Sequence, residues 1–136
     1  LKHLRPDAVH LIGCGHSGVV NYKSKIGPGA EDETPLLKRI EVARKLGIKI
    51  IGNHSGVGNK AAGEAHPEWI RIRSDGTSSP VTFAGWQMDL LSSYPEEWFL
   101  PQVEEMLRDY GIDGLWVGWR LLVYVSIVFR SRFETL

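Results

Sequence analysis

The sequence has a single cysteine and no net charge, and each of these two features excludes certain kinds of site or partner. Cys14 is the single cysteine among 136 residues, which excludes an intrachain disulfide and a cysteine-rich zinc site. The 16 basic and 16 acidic residues give a formal charge of zero, so nothing indicates a nucleic-acid or anionic-membrane partner. A neutral substrate suits this composition better.

Long hydrophobic runs are also lacking. The longest apolar stretch, residues 121–129 (Leu-Leu-Val-Tyr-Val-Ser-Ile-Val-Phe), is well short of the roughly 20 residues that a membrane helix needs, and it is typical of a strand. No charged and then apolar leader precedes the first predicted strand, so no signal peptide is visible. If the start is complete, we expect a cytoplasmic protein.

Aromatic side chains are plentiful by comparison, with five Trp, four Tyr and four Phe. Their rings can cover the apolar C–H face of a sugar, and they also fill ordinary hydrophobic cores. Composition leaves both interpretations open.

The first half of the chain has the pattern of a strand, a helix and a second strand. Residues 8–12 and 48–51 are apolar, rich in β-branched side chains and followed by glycine, which predicts two buried strands. Between them, Thr34 as N-cap, Pro35 at the first helical position and Gly47 as a left-handed C-cap delimit a helix.

The second half repeats this pattern after a long connection. We predict a small hairpin with arms at 70–73 and 81–83 around the turn Ser74-Asp-Gly-Thr, and a third strand at 87–91. A helix then begins at Pro95, with Pro101 kinking it or marking a second start, and a strand at 114–117 follows. This alternation predicts a parallel α/β fold, either an open sheet or a closed barrel.

The two predicted strands of the first half end in similar segments. Ile-Gly-Cys-Gly-His-Ser-Gly-Val at 12–19 and Ile-Gly-Asn-His-Ser-Gly-Val at 51–57 differ by one inserted residue, a likeness that chance can also produce. If the strands are parallel, His16 and His54 emerge on the same rim. Neutral histidines could donate to and accept from sugar hydroxyls or be ordinary loop residues, while their spacing matches no zinc pattern.

The segment Gly-Cys-Gly-His-Ser-Gly at 13–18 also matches the G-x-G-x-x-G dinucleotide fingerprint. That fingerprint requires a helix to open at once, with its N-terminus on the pyrophosphate. Residues 19–26 would form barely two turns before Gly27, Pro28 and Gly29. A dinucleotide-binding α/β domain therefore stays an alternative.

The long connection contains His66-Pro-Glu-Trp69, an aromatic residue and a carboxylate in one loop. Trp69 could form a wall of a sugar pocket, or it could pin the loop to the body of the protein. The sequence does not separate these two roles.

Several of these segments together resemble the N-terminal half of the barrel in alpha-L-fucosidases and related glycoside hydrolases. The resemblance covers roughly residues 8–117 and is most specific at 102–117, Gln-Val-Glu-Glu-Met-Leu-Arg-Asp-Tyr-Gly-Ile-Asp-Gly-Leu-Trp-Val. It implies a partial (β/α)8 TIM barrel with roughly the first four strand–helix units, not closed, and neither metal nor organic cofactor. The implied partner is a carbohydrate, and the candidate substrate-binding residues are His16, His54, Trp69, Trp116 and Tyr22.

The family mechanism is retaining: an aspartate after the fourth strand attacks the anomeric carbon, and a second carboxylate about 5 Å away serves as acid and then base. The aspartate's place is taken here by Gly118, which has no side chain to form a glycosyl ester. The acid/base residue would lie beyond this chain. The resemblance thus predicts a fragment that is unstable and inactive alone, with a non-catalytic sugar-binding remnant as an alternative.

Residues 118–136 differ in character from the barrel-like segment at 1–117. Codons for residues 117–123 can be chosen so that a shifted reading frame gives Val-Asp-Gly, which would restore the family's aspartate. We hypothesise that this apolar tail is read out of frame.

Overall fold

The chain forms a three-stranded parallel sheet flanked by helices. The structure, a computed structural model, describes residues 6–83 and 85–118. In chain order its elements are β1 (Ala8–Cys14), α1 (Thr34–Lys45), β2 (Lys49–His54), α2 (Lys60–Ala65), a 3₁₀ turn (Pro67–Trp69), a π-helical turn (Pro95–Phe99), α3 (Leu100–Arg108) and β3 (Gly114–Val117).

The strands lie in the order β1-β2-β3, and both pairs are parallel. The last residues of the three strands are in register, since Cys14 pairs with His54 and His54 pairs with Val117. The parallel arrangement predicted from the sequence is confirmed. All three carboxyl ends therefore meet at one edge of the sheet.

Helices α1 and α3 lie on the same face of this sheet. On the central strand, a side chain at Gly52 would contact Met106 of α3. Val9 pairs with Ile50, two residues from Gly52 and hence on the same face. Val9 lines an apolar groove together with Val42 of α1, so α1 covers β1 on that face as well.

The opposite face of the sheet carries His10, Ile51, Asn53 and Trp116. Pairing places His10 beside Ile51 and Asn53 beside Trp116. The His10 and Trp116 side chains are exposed, with their ring centroids 6.1 Å apart in an edge-on contact. Among the described residues, His10 and Trp116 therefore leave part of this face open, whereas Ile51 and Asn53 are half-buried.

Helix α1 is delimited largely as the sequence predicts. Pro35 lies in its first turn, and Gly47 closes it with φ +68°. The Ile48 amide donates to Ala43 and the Gly47 amide to Arg44, which is the Schellman pattern of a helix C-terminus. The predicted N-cap at Thr34 is wrong by one residue: Glu33 occupies that position, without a capping side-chain bond.

The second long helix is interrupted beside Pro101, as predicted, and α3 begins at Leu100, one residue before this proline. Proline has no N–H to donate within a helix, and the turn before it widens, with the Leu100 amide bonding to the Pro95 carbonyl five residues back. Leu100, Val103 and Met106 of α3 are buried. The buried, apolar face of the helix therefore continues from the π-helical turn into α3.

The long connection agrees with the expectation only in part. Residues 87–91 do not form a third barrel strand; Gln87 and Met88 make only isolated antiparallel bridges, to Gly58 and Ile70. The predicted turn exists, with Ile72 bridging Ser78, but the predicted second arm is wrong: Thr82 of the 81–83 segment bridges Gly85 instead.

The described residues contain three strands where roughly four strand–helix units were predicted, so Gly118 follows the third described strand and not a fourth. The partial barrel stays a prediction, because three strands with helices on one face are compatible with a barrel or an open sheet. The predicted tail lies outside the described residues from 119 onward.

A matched pair of glycine substitutions should show how closely β1 approaches β2. A Cβ at Gly13 would lie 2.1 Å from the Asn53 carbonyl oxygen, whereas a Cβ at Gly15 would meet nothing within 4 Å. We expect Gly13→Ala to lower the free energy of unfolding by roughly 1–3 kcal/mol, because backbone atoms must shift. Chemical denaturation should show a near-neutral Gly15→Ala, and equal effects would contradict this packing.

Candidate functional site

The loops after β1, β2 and β3 meet and form what we call the carboxyl rim: residues 15–18, residues 55–59 and Gly118. The Ser55 amide donates to the Cys14 carbonyl at 3.0 Å, and its hydroxyl lies 2.6 Å from the Gly58 carbonyl and 3.2 Å from that of Gly15. The Gly118 amide donates to the His54 carbonyl at 2.9 Å. These bonds hold the three loops as one surface.

Gly118 is the rim residue that follows β3 directly. A Cβ there would lie 3.6 Å from the Trp116 ring and 3.8 Å from the Ser55 Cα, which are ordinary van der Waals distances. With respect to residues 6–83 and 85–118, the position can therefore accept a side chain. Its neighbours belong to β3 and to the loop after β2, so such a side chain would start between two strand ends.

His54 lies beneath the rim and is fully buried. The Gly56 amide donates to its Nδ1 at 3.0 Å, so the ring proton sits on Nε2, which lies 3.0 Å from Oε1 of Gln102 and donates to it. Burial lowers the pKa of His54 to about 4, partly offset by the hydrogen bond to Gln102. The imidazole is neutral at pH 7 and joins β2, the rim loop and α3.

His16 differs from His54 although the two segments look alike in sequence. Its side chain is exposed, and its ring meets the Phe83 ring edge-on, with centroids 6.4 Å apart. Its backbone carbonyl accepts from the Lys60 amide at 2.9 Å, which ties the β1 loop to the start of α2. The shared pattern thus gives one exposed and one buried histidine.

Tyr22 and Trp69 both lie in the interior. Tyr22 is fully buried, donates to the Gln102 carbonyl at 3.1 Å, and has its pKa raised by burial. Trp69 is 4% exposed, donates to the Ser93 hydroxyl at 3.0 Å and stacks on His66 at 3.7 Å between centroids. Trp69 has the arrangement expected of a tryptophan that pins the loop.

The structure therefore brings only some of the predicted site residues together. His16 and Gly118 are on the rim, and His54 lies just below it. Trp116 is 55% exposed and belongs to the face of the sheet opposite α1 and α3. Sugar binding by these side chains, and by buried Tyr22 and Trp69, stays a prediction.

The dinucleotide fingerprint does not have its required context. After Gly18 the chain runs extended, with Val20 bridging back to Cys14 and its amide bonding to the Pro28 carbonyl. Within residues 6–83 and 85–118, the first helix after this loop begins at Thr34. In the described residues, the glycines therefore have no helix N-terminus beside them, which is the structural feature that the dinucleotide alternative requires.

Sequence reasoning missed Phe83 and Gln102. Phe83 is 95% exposed in the long connection, and no periodicity marks a single loop aromatic as exposed. Gln102 occupies a buried position of α3, and its polar side chain in an otherwise apolar helix face was the available signal.

Neither a metal site nor a membrane span is found in the part of the chain that the structure describes. No cluster of three His, Cys, Asp or Glu side chains in residues 6–83 and 85–118 could hold a metal ion. None of the helices within these ranges is both long and apolar enough to cross a membrane.

Parallel α/β proteins place their chemistry at the carboxyl ends of the strands, which is where these loops converge. The class that this rim points to is an α/β enzyme. Residues 1–119 match the family model described as hypothetical glycosyl hydrolase 6, and the chain belongs to that family. No curated protein and no solved structure matches the chain. The glycoside hydrolase part of the sequence prediction is thereby supported.

The buried His54 should make stability depend on pH in a defined direction. Its pKa of about 4 in the folded chain lies below the ordinary 6.5 or so of an unfolded histidine. The unfolded state therefore binds the extra proton as pH falls, and stability present above about pH 6.5 is lost down to about pH 4, on the order of 3 kcal/mol.

His54→Gln removes this titration while keeping an amide able to donate toward Gln102. We expect the stability difference between the unsubstituted chain and the variant to shrink between pH 7 and pH 4, measured by urea denaturation. Two curves that stay parallel over this range would show that His54 is not buried as a neutral group.

Proposed function

We propose that this chain is the N-terminal part of a retaining glycoside hydrolase of the alpha-L-fucosidase-like kind, and that it does not turn over substrate by itself. Family membership supports a glycosyl hydrolase in general. The finer assignment rests on the resemblance of residues 102–117 and on the position of Gly118. The expected substrate is a neutral terminal glycoside, in keeping with a chain of zero net charge.

A partial (β/α)8 barrel accounts for the sheet as observed. The strands follow one another in sequence order, and α1 and α3 lie on one face. In a barrel, all helices lie outside and the other face of the sheet turns inward. The uncovered face with Ile51 and Asn53 is then the inner wall, which the remaining strands would enclose.

The single observation that carries the proposal is the place of Gly118. It follows β3 on the carboxyl rim, with its amide on the His54 carbonyl and space for a side chain. A carboxylate there could attack an anomeric carbon and form the glycosyl ester of a retaining mechanism. Glycine cannot form that ester, so the chain lacks the first chemical step.

The extent of the family match supports a changed reading frame in the tail. The match ends at residue 119, beside the boundary at which the sequence changes character. DNA codons for residues 117–124 test this hypothesis. Codons that cannot give Asp-Gly in a shifted frame would remove it.

Carbohydrate binding without turnover is the second candidate. The exposed His16 ring on the rim favours it, because an imidazole offers hydrogen bonds to sugar hydroxyls without needing a nucleophile. Retained binding of a glycoside, with no hydrolysis, would be its signature.

We expect the 136-residue chain to release no nitrophenol from 4-nitrophenyl alpha-L-fucoside above a blank lacking protein. The reason is the missing nucleophile at Gly118. Absorbance of the released phenolate measures this directly, and sustained turnover that co-purifies with the chain would contradict the assignment of Gly118.

A sharper test restores a carboxylate and traps it. A 2-deoxy-2-fluoro-fucosyl donor with a dinitrophenolate leaving group needs no acid catalyst, because the phenolate departs with its electron pair. We expect the Gly118→Asp variant to gain the mass of one fluorosugar on its introduced carboxylate, since the fluorine slows hydrolysis of the ester. Intact-protein mass spectrometry measures the adduct.

The matched controls are Gly118→Asn, which has the same shape without charge, and Gly15→Asp, which puts a carboxylate on the same rim at an unobstructed position. Neither should be labelled. Labelling of all three variants would show that the donor glycosylates the protein non-specifically. A folded Gly118→Asp variant that carries no label would refute position 118 as the place of the nucleophile.

A further inference from the structure

Phe83 is an exposed aromatic ring held against the carboxyl rim. Its side chain is 95% exposed, although it neighbours the exposed imidazole of His16, with the two rings perpendicular at 89°. Single exposed apolar side chains are common on protein surfaces. Phe83 differs from such side chains because the turn that carries it packs closely against the rim.

The turn that carries Phe83 is closed by two backbone bonds between Thr82 and Gly85, of 2.9 and 3.2 Å. Gly85 is buried with φ +75°, and a Cβ there would lie 2.6 Å from the His16 carbonyl oxygen and 2.7 Å from the Lys60 amide. Only glycine fits this close approach. The backbone of the turn therefore packs against the β1 loop, which fixes the point from which the Phe83 side chain extends.

A chain of contacts connects Phe83 with Gly118. The Phe83 ring meets His16, whose neighbour Gly15 lies within reach of the Ser55 hydroxyl. The Cα of Ser55 in turn lies 3.8 Å from a Cβ at Gly118. These steps cross from β1 to β3, about 10 Å along the rim at the usual spacing of paired strands.

We propose that Phe83 and His16 form one wall of a sugar-binding subsite, with the Phe83 ring stacking on the C–H face of a pyranose and the His16 imidazole hydrogen-bonding to its hydroxyls. This deepens the proposed function and rests on it for the substrate class. An apolar ring beside a polar donor and acceptor matches a sugar, which has an apolar face and a polar edge. The subsite adds a residue that the resemblance does not supply.

The test is a titration by saturation-transfer difference NMR with methyl alpha-L-fucopyranoside and, separately, methyl beta-D-galactopyranoside. Phe83→Ala should raise the Kd by about five- to tenfold, the loss expected for one stacked ring. Phe83→Trp should restore binding. Leu91→Ala is the matched control, because Leu91 is an apolar side chain 88% exposed elsewhere on the long connection, and it should leave Kd unchanged.

The outcomes separate the subsite from the proposed enzyme class. Phe83-dependent binding of the galactoside alone would support the subsite and count against a fucosidase-like preference. Binding of the fucoside with Phe83→Ala within about twofold of the unsubstituted chain would overturn the subsite, as would equal weakening by Leu91→Ala. No binding of either glycoside would also overturn it, whereas the labelling of Gly118→Asp would still report on the enzyme class.

Discussion

Parallel pairing of β2 with both neighbours is the constraint on which the rest of this molecule depends. Cys14, His54 and Val117 end their strands in register. The three following loops therefore all begin at the same edge of the sheet. They share one rim, and backbone bonds through Ser55 and Gly118 join them. A one-residue slip of β2 against its neighbours would turn the buried His54 to the opposite face.

The polar groups beneath the rim explain why this arrangement is specific. His54 bonds to Gly56 and Gln102, and Tyr94 donates to the Gly56 carbonyl at 2.7 Å. Asn59 accepts from the Ala62 amide and so caps α2. Buried groups of this kind cost free energy unless their partners are in place, so the network favours one loop conformation over its competitors.

Family membership and rim geometry bear on different questions. The family places the chain among glycosyl hydrolases, while the rim shows which side chains stand at the strand ends. In the function that we propose, the exposed side chains of His16 and Phe83 concern sugar binding, and Gly118 concerns turnover.

The sequence by itself determined the three strands of the sheet, their parallel order, the C-terminal end of α1 at Gly47 and the interruption beside Pro101, because hydrophobic periodicity, prolines and glycines act locally; it did not predict α2. Only the tertiary structure decided which of two similar histidines is exposed, that Trp69 and Tyr22 are buried, and that residues 87–91 stay outside the sheet. These outcomes depend on contacts between distant segments, such as His54 with Gln102 and Trp69 with Ser93. Burial of a polar or aromatic side chain is set by what packs against it, and no local pattern contains that information.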